Sequence, residues 1–454
     1  MTTPEPYEKH RQAHPDEYGD VSYPSTAQTG DSQQELHYDS GIQRVEHKPT
    51  IPGEIWVLVA AALLIAAGYG LIAPIIPQFA QSFNVGLAAA GAVVSIFAFT
   101  RLIFGPASGP LIDIFGSRKM YFTGLFVVAI TTGAVAFTQE YWHVLLLRGL
   151  AGFGSTLFTV SAMGMIVRIA PPAIRGRCSS AYSSAFLLGN IVGPVVGSLM
   201  APLGMRLPFV IYGIALLCAI VVVWWFTTGR NIRQSVPKDA AAGPTHAPST
   251  DTQAPMSVKE AFTLTSYKAV LVSGFANGWA NFGVRVATLP LFAAATFDNG
   301  GTFAAGFALA SFAGGNAVCL QFSGRMADSI GRKPLIITGL IVNAGFTACL
   351  GLSSSVVMFC VLSAFAGVGA GMLNPAQQAV VADVIGNDRS GGRVLAGFQM
   401  AQDFGSILGP IVVGAIAQTW SFEIGFIVTA VVGLGAALQW FAAPDTHHRT
   451  HAAQ

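Results

Sequence analysis

The chain has 454 residues, 52% hydrophobic and only 10% charged, with 24 Lys+Arg, 22 Asp+Glu and a mean hydropathy of +0.57. A soluble protein carries roughly 25% charged residues, so soluble domains of this size are excluded, and a net charge of +2 supplies no basic field for nucleic acid. What remains is a polytopic membrane protein.

Residues 1–53 are rich in Glu, Asp, His, Pro, Gln, Ser and Tyr, almost without aliphatic side chains, which predicts a disordered tail. This stretch has no apolar core of a signal peptide, and the apolar run from Ile55 is long enough to act as a signal anchor. No charge falls between Ile55 and Arg101, and charge-free runs cover 120–139, 207–229, 299–324, 334–382 and 424–444. A spanning helix needs roughly 20 apolar residues, and these runs are apolar all round rather than alternating as barrel strands do. The predicted spans are 54–79, 87–112, 119–138, 142–168, 177–201 and 206–228, then 268–293, 303–323, 334–353, 356–382, 393–418 and 421–442. A polar linker, 230–265, containing Pro237, Pro244, Pro248 and Pro255, separates the two sets. A short tail, 443–454, carries His447, His448 and His451. The fold class is therefore all-α, with six-helix bundles at 54–229 and 266–442.

Alternate loops carry the basic residues Arg118, Lys119, Arg175, Arg177, Arg230, Arg233, Lys238, Lys259, Arg325, Arg332, Lys333, Arg389 and Arg393, while the opposite loops carry Arg206 alone. By the positive-inside rule, both termini and the linker are expected in the cytoplasm of a cell inner-membrane protein. Five scattered cysteines show no metal spacing. No metal, cofactor or Ser-His-Asp set is expected, so the chain does not read as an enzyme. A channel would more naturally come from symmetric subunits.

The two halves repeat. Gly109-Pro-Leu-Ile-Asp113-Ile-Phe-Gly116-Ser-Arg118-Lys119 matches Gly324-Arg-Met-Ala-Asp328-Ser-Ile-Gly331-Arg332-Lys333 at an offset of 215. Gly189-Asn-Ile-Val-Gly193-Pro194 matches Gly405-Ser-Ile-Leu-Gly409-Pro410 at 216, and the strings from Gly70 and Gly283 match at 213. Ordered anchors at nearly one offset imply parallel repeats about an axis normal to the membrane.

The paired loops resemble the signature of the major facilitator superfamily. Arg148-Gly-Leu-Ala-Gly152 is similar to its fourth-span motif, and Gly189-x-x-x-Gly193-Pro194-x-x-Gly197 resembles its antiporter motif. Together they resemble the twelve-span drug–proton antiporter family. The resemblance implies a monomer that exchanges protons for a small-molecule substrate across the bilayer. It also implies that Asp113 and Asp328 meet helix N-termini as a cytoplasmic latch, with Arg118, Arg332 and Asp383 in the same ionic network. A basic turn that serves topology alone is the other reading of these loops. Gly189, Gly193 and Gly197 share a helix face bent by Pro194, for close packing or for sealing against leak.

Four charges fall inside predicted spans: Arg101, Arg148, Arg285 and Asp403. Intramembrane charges are costly and face a cavity or a partner. Asp403 is the candidate proton carrier, or else half of a static ion pair. The resemblance links Arg148 to proton coupling. Arg101, Arg285, Tyr69, Asn277, Trp279, Asn281, Gln399 and Gln402 are candidates for cavity lining, or for interhelical hydrogen bonds. The first span lacks the acid that many multidrug antiporters carry, and three arginines face one aspartate. Two cargoes stay open: amphiphilic drugs exported against protons, or organic anions and acidic lipids.

Overall fold

The computed structural model describes residues 51–170, 174–228, 256–297, 301–386 and 392–446, and among these the regular structure is all helical, without a strand. Residues 1–50, 229–255 and 447–454, where the predicted tails and most of the linker fall, lie outside the described residues.

Chain order gives α1 (Gly53–Ile72), α2 (Ile76–Gln81), α3 (Leu87–Phe115), α4 (Ser117–Val135), α5 (Tyr141–Ile169), α6 (Arg175–Leu199) and α7 (Leu207–Thr228). After the linker come α8 (Val258–Ala261), α9 (Thr265–Asn277), a π-helical turn (Gly278–Val284), α10 (Arg285–Thr296), α11 (Gly301–Ser329), α12 (Arg332–Cys349), α13 (Val356–Ile385), α14 (Gly392–Thr419) and α15 (Phe422–Ala442). Ten of these helices are each long and apolar enough to cross a membrane. The two other predicted spans take different forms. The third is α4, whose first turn carries Arg118 and Lys119. The seventh, expected as one helix over 268–293, is three segments in series, α9, the π turn and α10.

The break in the seventh span has a tertiary cause. Gly278 lies directly against the Gln402 carbonyl, and a Cβ on Gly283 would lie 2.8 Å from the Pro410 ring. The backbone bulges where it presses closely on α14. The first span is also broken, between α1 and α2, where Pro74 and Pro77 remove two donors.

Small residues set the helix contacts. On α6, Gly189 faces Leu63, Ala66 and Ala67, Gly193 faces Ala67 and Gly70, and Gly197 faces Leu71, so α6 rides on the backbone of α1. Gly405 and Gly409 bring α14 equally close to Phe275 and Trp279.

The halves meet through α3 with α14 and α6 with α11. Their contacts gather at one end. A Cβ on Gly91 would sit 2.6 Å from the Pro410 carbonyl, one on Gly414 2.8 Å from the Leu87 carbonyl, and one on Gly306 2.5 Å from Ser198 Cβ. Ser95 donates to the Ile407 carbonyl at 2.7 Å, and Gln78 donates to the Pro290 carbonyl at 3.3 Å while accepting from Thr302 at 2.6 Å. Farther along the same helices, Gly105 on α3 and Gly324 on α11 face open space. The molecule is closed at the Gly86 end and open at the end of the Arg118 and Arg332 turns.

The segment expected as a solvated C-terminal tail begins as a packed strap. Lys333 Nζ donates to the Phe441 and Ala443 carbonyls at 3.2 and 2.8 Å, and Ser266 donates to the Pro444 carbonyl at 3.1 Å. The end of the linker also packs, with Met256 and Ala261 buried and Ser257 accepting from the Glu260 amide at 3.2 Å.

Candidate functional site

A central cavity of about 360 Å³ opens between the halves. Arg101, Arg148, Arg285 and Asp403, the four charges picked out inside the apolar spans, all line it, as do Tyr69, Asn281, Gln399 and Gln402. The charges come from α3, α5, α10 and α14, so the cavity draws on both halves.

Asp403 is half-buried, accepts a hydrogen bond from Gln399 one turn earlier and lies within the electrostatic influence of Arg101. Among the described residues, no guanidinium nitrogen lies within the 4.0 Å of an ion pair with it. The carboxylate is thus reachable from the cavity rather than locked in a bridge.

Arg148 and Arg285 are built alike. Each is almost fully buried, at 2% and 3% exposure. Arg148 lies 4.6 Å from the centroid of the Phe97 ring, and Arg285 lies 4.0 Å from that of Phe312. Phe97 and Phe312 stand at the repeat offset of 215, so each half offers one aromatic face to one arginine. Such contacts are favourable where water is excluded. Tyr69 hydrogen-bonds Arg148, and Arg285 Nη2 donates to Thr347 at 3.1 Å. Among the described residues, Nε and Nη2 of Arg148, and Nε and Nη1 of Arg285, have no hydrogen-bond partner.

Asn277 and Trp279 were expected on the cavity wall, and the structure places them behind it. Trp279 Nε1 reaches Thr429 at 3.3 Å inside the second half. Asn277 belongs to an amide chain: Asn343 donates to Asn281 at 3.1 Å, Asn281 to Asn277 at 2.8 Å, and Asn277 to Asn374 at 3.0 Å. In a regular α-helix the four-residue spacing of Asn277, Asn281 and Arg285 would put them on one face. The π turn between Asn277 and Arg285 changes the angle between them, so Asn281 and Arg285 line the cavity and Asn277 does not.

Of the expected latch, the side chains of Asp113 and Asp328 lie outside the described residues. Arg332 is ion-paired with Asp383, whose Oδ2 also accepts from Thr446 at 2.6 Å. Arg118 lies 5.9 Å from the centroid of the Phe122 ring on its own helix. Pro194 lines the cavity, and Gly189, Gly193 and Gly197 lie against α1.

Sequence reasoning did not single out Phe97, Phe312, Asn343, Asn374 or Thr347. The first two were findable from the repeat offset. The others sit singly in apolar spans and carry no pattern. Among the described residues, no group of three His, Cys, Asp or Glu side chains could hold a metal.

The model of the Major Facilitator Superfamily matches residues 58–315 and 270–454. The chain is 24% identical over 378 residues to the multi-drug resistance efflux pump PmrA of Streptococcus pneumoniae, covering 81% of this chain and 90% of that protein. It is 25% identical to the class B tetracycline resistance protein of Escherichia coli, covering 72% and 79%. It is 26% identical to the multidrug resistance protein MdtG of Citrobacter koseri, covering 83% and 91%. Among solved structures, a bacterial homologue of the human lysosomal transporter Spinster, inward-facing and unoccupied, superposes with a TM-score of 0.70 at 16% identity, covering 86% of this chain and 96% of that one. With apolar helices in two repeated sets around one cavity, and family matches reaching from residue 58 to 454, the chain belongs to the Major Facilitator Superfamily.

Proposed function

We propose that this transporter exports small amphiphilic compounds in exchange for protons by alternating access. The observation that carries the reading is Asp403. It is the one acid on the wall of the central cavity among the described residues, half-buried, near Arg101 and outside any ion pair. A carboxylate placed so can take a proton when the cavity faces one side and give it up when it faces the other. The efflux relatives, each about a quarter identical over most of the chain, support export as the direction.

In this reading, 54–229 and 266–442 are two rocking bundles and the linker and both termini are cytoplasmic in a cell membrane of bacterial type. The chain works as a monomeric carrier without a cofactor. The basic turns then mark the open end as cytoplasmic, and the conformation is inward-facing. Closing that end would bring the Asp113 and Asp328 turns, with Arg118, Arg332 and Asp383, against the partner bundle as a latch.

The test is Asp403→Asn in proteoliposomes carrying a pH gradient. Proton-driven flux of an amphiphilic dye falls to background while dye binding in the absence of a gradient persists. Unchanged gradient-driven flux in that variant would remove Asp403 from the coupling step.

A further inference from the structure

Arg148 and Arg285 need a counter-ion that the protein does not supply. Both are more than nine-tenths buried, both line the cavity, and two nitrogens of each lack a hydrogen-bond partner. The charged groups around them do not answer the need. Arg148 has Tyr69 and Tyr212 beside it, neither of them carboxylates, and the contacts of Arg285 are the Thr347 hydroxyl and the Phe312 ring, neither of them acidic. Asp403 accepts from Gln399, and among the described residues neither arginine lies within ion-pair distance of it. Asn316 on α11 adds a further wall position, and its Oδ1 is also unpartnered.

A buried, uncompensated guanidinium is costly, and its planar fork of donors matches a carboxylate or phosphate oxygen pair. The ring faces of Phe97 and Phe312 hold each fork in place but satisfy none of its N–H groups. The wall also carries Phe158, Phe186 and Phe282, interspersed with polar side chains such as Thr132, Ser155 and Asn190.

We propose that the cavity takes amphiphiles with an anionic oxygen head, held between Arg148 of one half and Arg285 of the other, with an apolar body against the phenylalanine wall. The proposal rests on the transport reading above, since it names the cargo of the same cavity. It accounts for both bundles supplying one arginine each: a cargo gripped from both sides couples its own binding to their relative movement.

The test is equilibrium binding to the full chain in nanodiscs near neutral pH, without a gradient. Three probes share one body: 2-naphthylacetate, its carboxamide, and 2-naphthylethylamine. The carboxylate binds about tenfold or more tighter than the amide, as a charge-assisted contact predicts, and the amine binds weakest. Arg148→Gln and Arg285→Gln each bring the carboxylate-to-amide ratio close to one, and Arg285→Lys keeps part of it. The ratio is read within each protein, so a partly unfolded preparation lowers both affinities alike. Equal binding of amide and carboxylate, tighter binding of the amine, no carboxylate binding at millimolar concentration, or an unchanged ratio in both Gln variants overturns the proposal. None of these outcomes bears on proton coupling, which the Asp403→Asn flux measurement decides separately.

Discussion

Glycine shows how one residue type meets opposite demands within this molecule. Gly197 lies against the Leu71 carbonyl, whereas Gly105 faces open space on α3. Gly197→Ala should therefore destabilise the protein by about 1–3 kcal/mol through overpacking of α6 on α1. Gly105→Ala should be neutral or stabilising by up to about 1 kcal/mol, because helix propensity then acts alone. Thermal unfolding of the two variants in one detergent reads the contrast, and similar midpoints would contradict it. The charged residues of the cavity were legible because an ionised side chain stands out in an apolar run. Phe97 and Phe312 were not singled out among 31 phenylalanines, although their shared repeat offset of 215 set them apart as a pair.

At the level of elements, the seventh span departs most from its sequence. Nothing in the apolar run over 268–293 distinguishes a π turn from an α-helix. The turn arises from the approach of Gly278 and Gly283 to α14, which is a tertiary fact. Its effect is to separate Asn277, engaged with Asn374, from Arg285, which lines the cavity. Deleting Ala280 from that turn should swing Arg285 by about 100° about the helix axis and off the cavity wall. The expected outcome is transport at background with normal folding by size-exclusion elution, while Ala280→Ser transports. Transport by the deletion variant would show that the turn does not position the arginine. Ten of the predicted spans, by contrast, could be read directly, since a bilayer demands roughly 20 apolar residues wherever a helix crosses it.

For the whole molecule, the repeat and the fold class followed from residue patterns, but the conformational state did not. Both states of an alternating carrier share one sequence, and only contacts between the halves tell them apart. Those contacts lie at the Gly86 end, where Ser95 donates to Ile407. In a variant without the five native cysteines, Gly105→Cys should react quickly with a water-soluble thiol reagent and Ser95→Cys slowly. A substrate that shifts the population to the opposite state should invert that order. Equal rates at both positions under both conditions would mean that the observed state is not the resting one.

Among the described residues, the contacts that close the Gly86 end, Gly91 with Pro410, Gly414 with Leu87, Gly306 with Ser198, Ser95 with Ile407 and Gln78 with Pro290 and Thr302, are between uncharged groups. The open end is ringed by Arg118, Lys119, Arg325, Arg332 and Lys333. The two gates therefore answer to different properties of their surroundings. The first is held by close packing and hydrogen bonds between neutral groups, so it should respond to bilayer thickness, lateral pressure and temperature more than to dissolved salt. The second would close by bringing charged groups of both signs together, an interaction screened over a Debye length of about 8 Å at physiological ionic strength. Salt then sets the pace of only one half of the turnover, and the lipid sets the other.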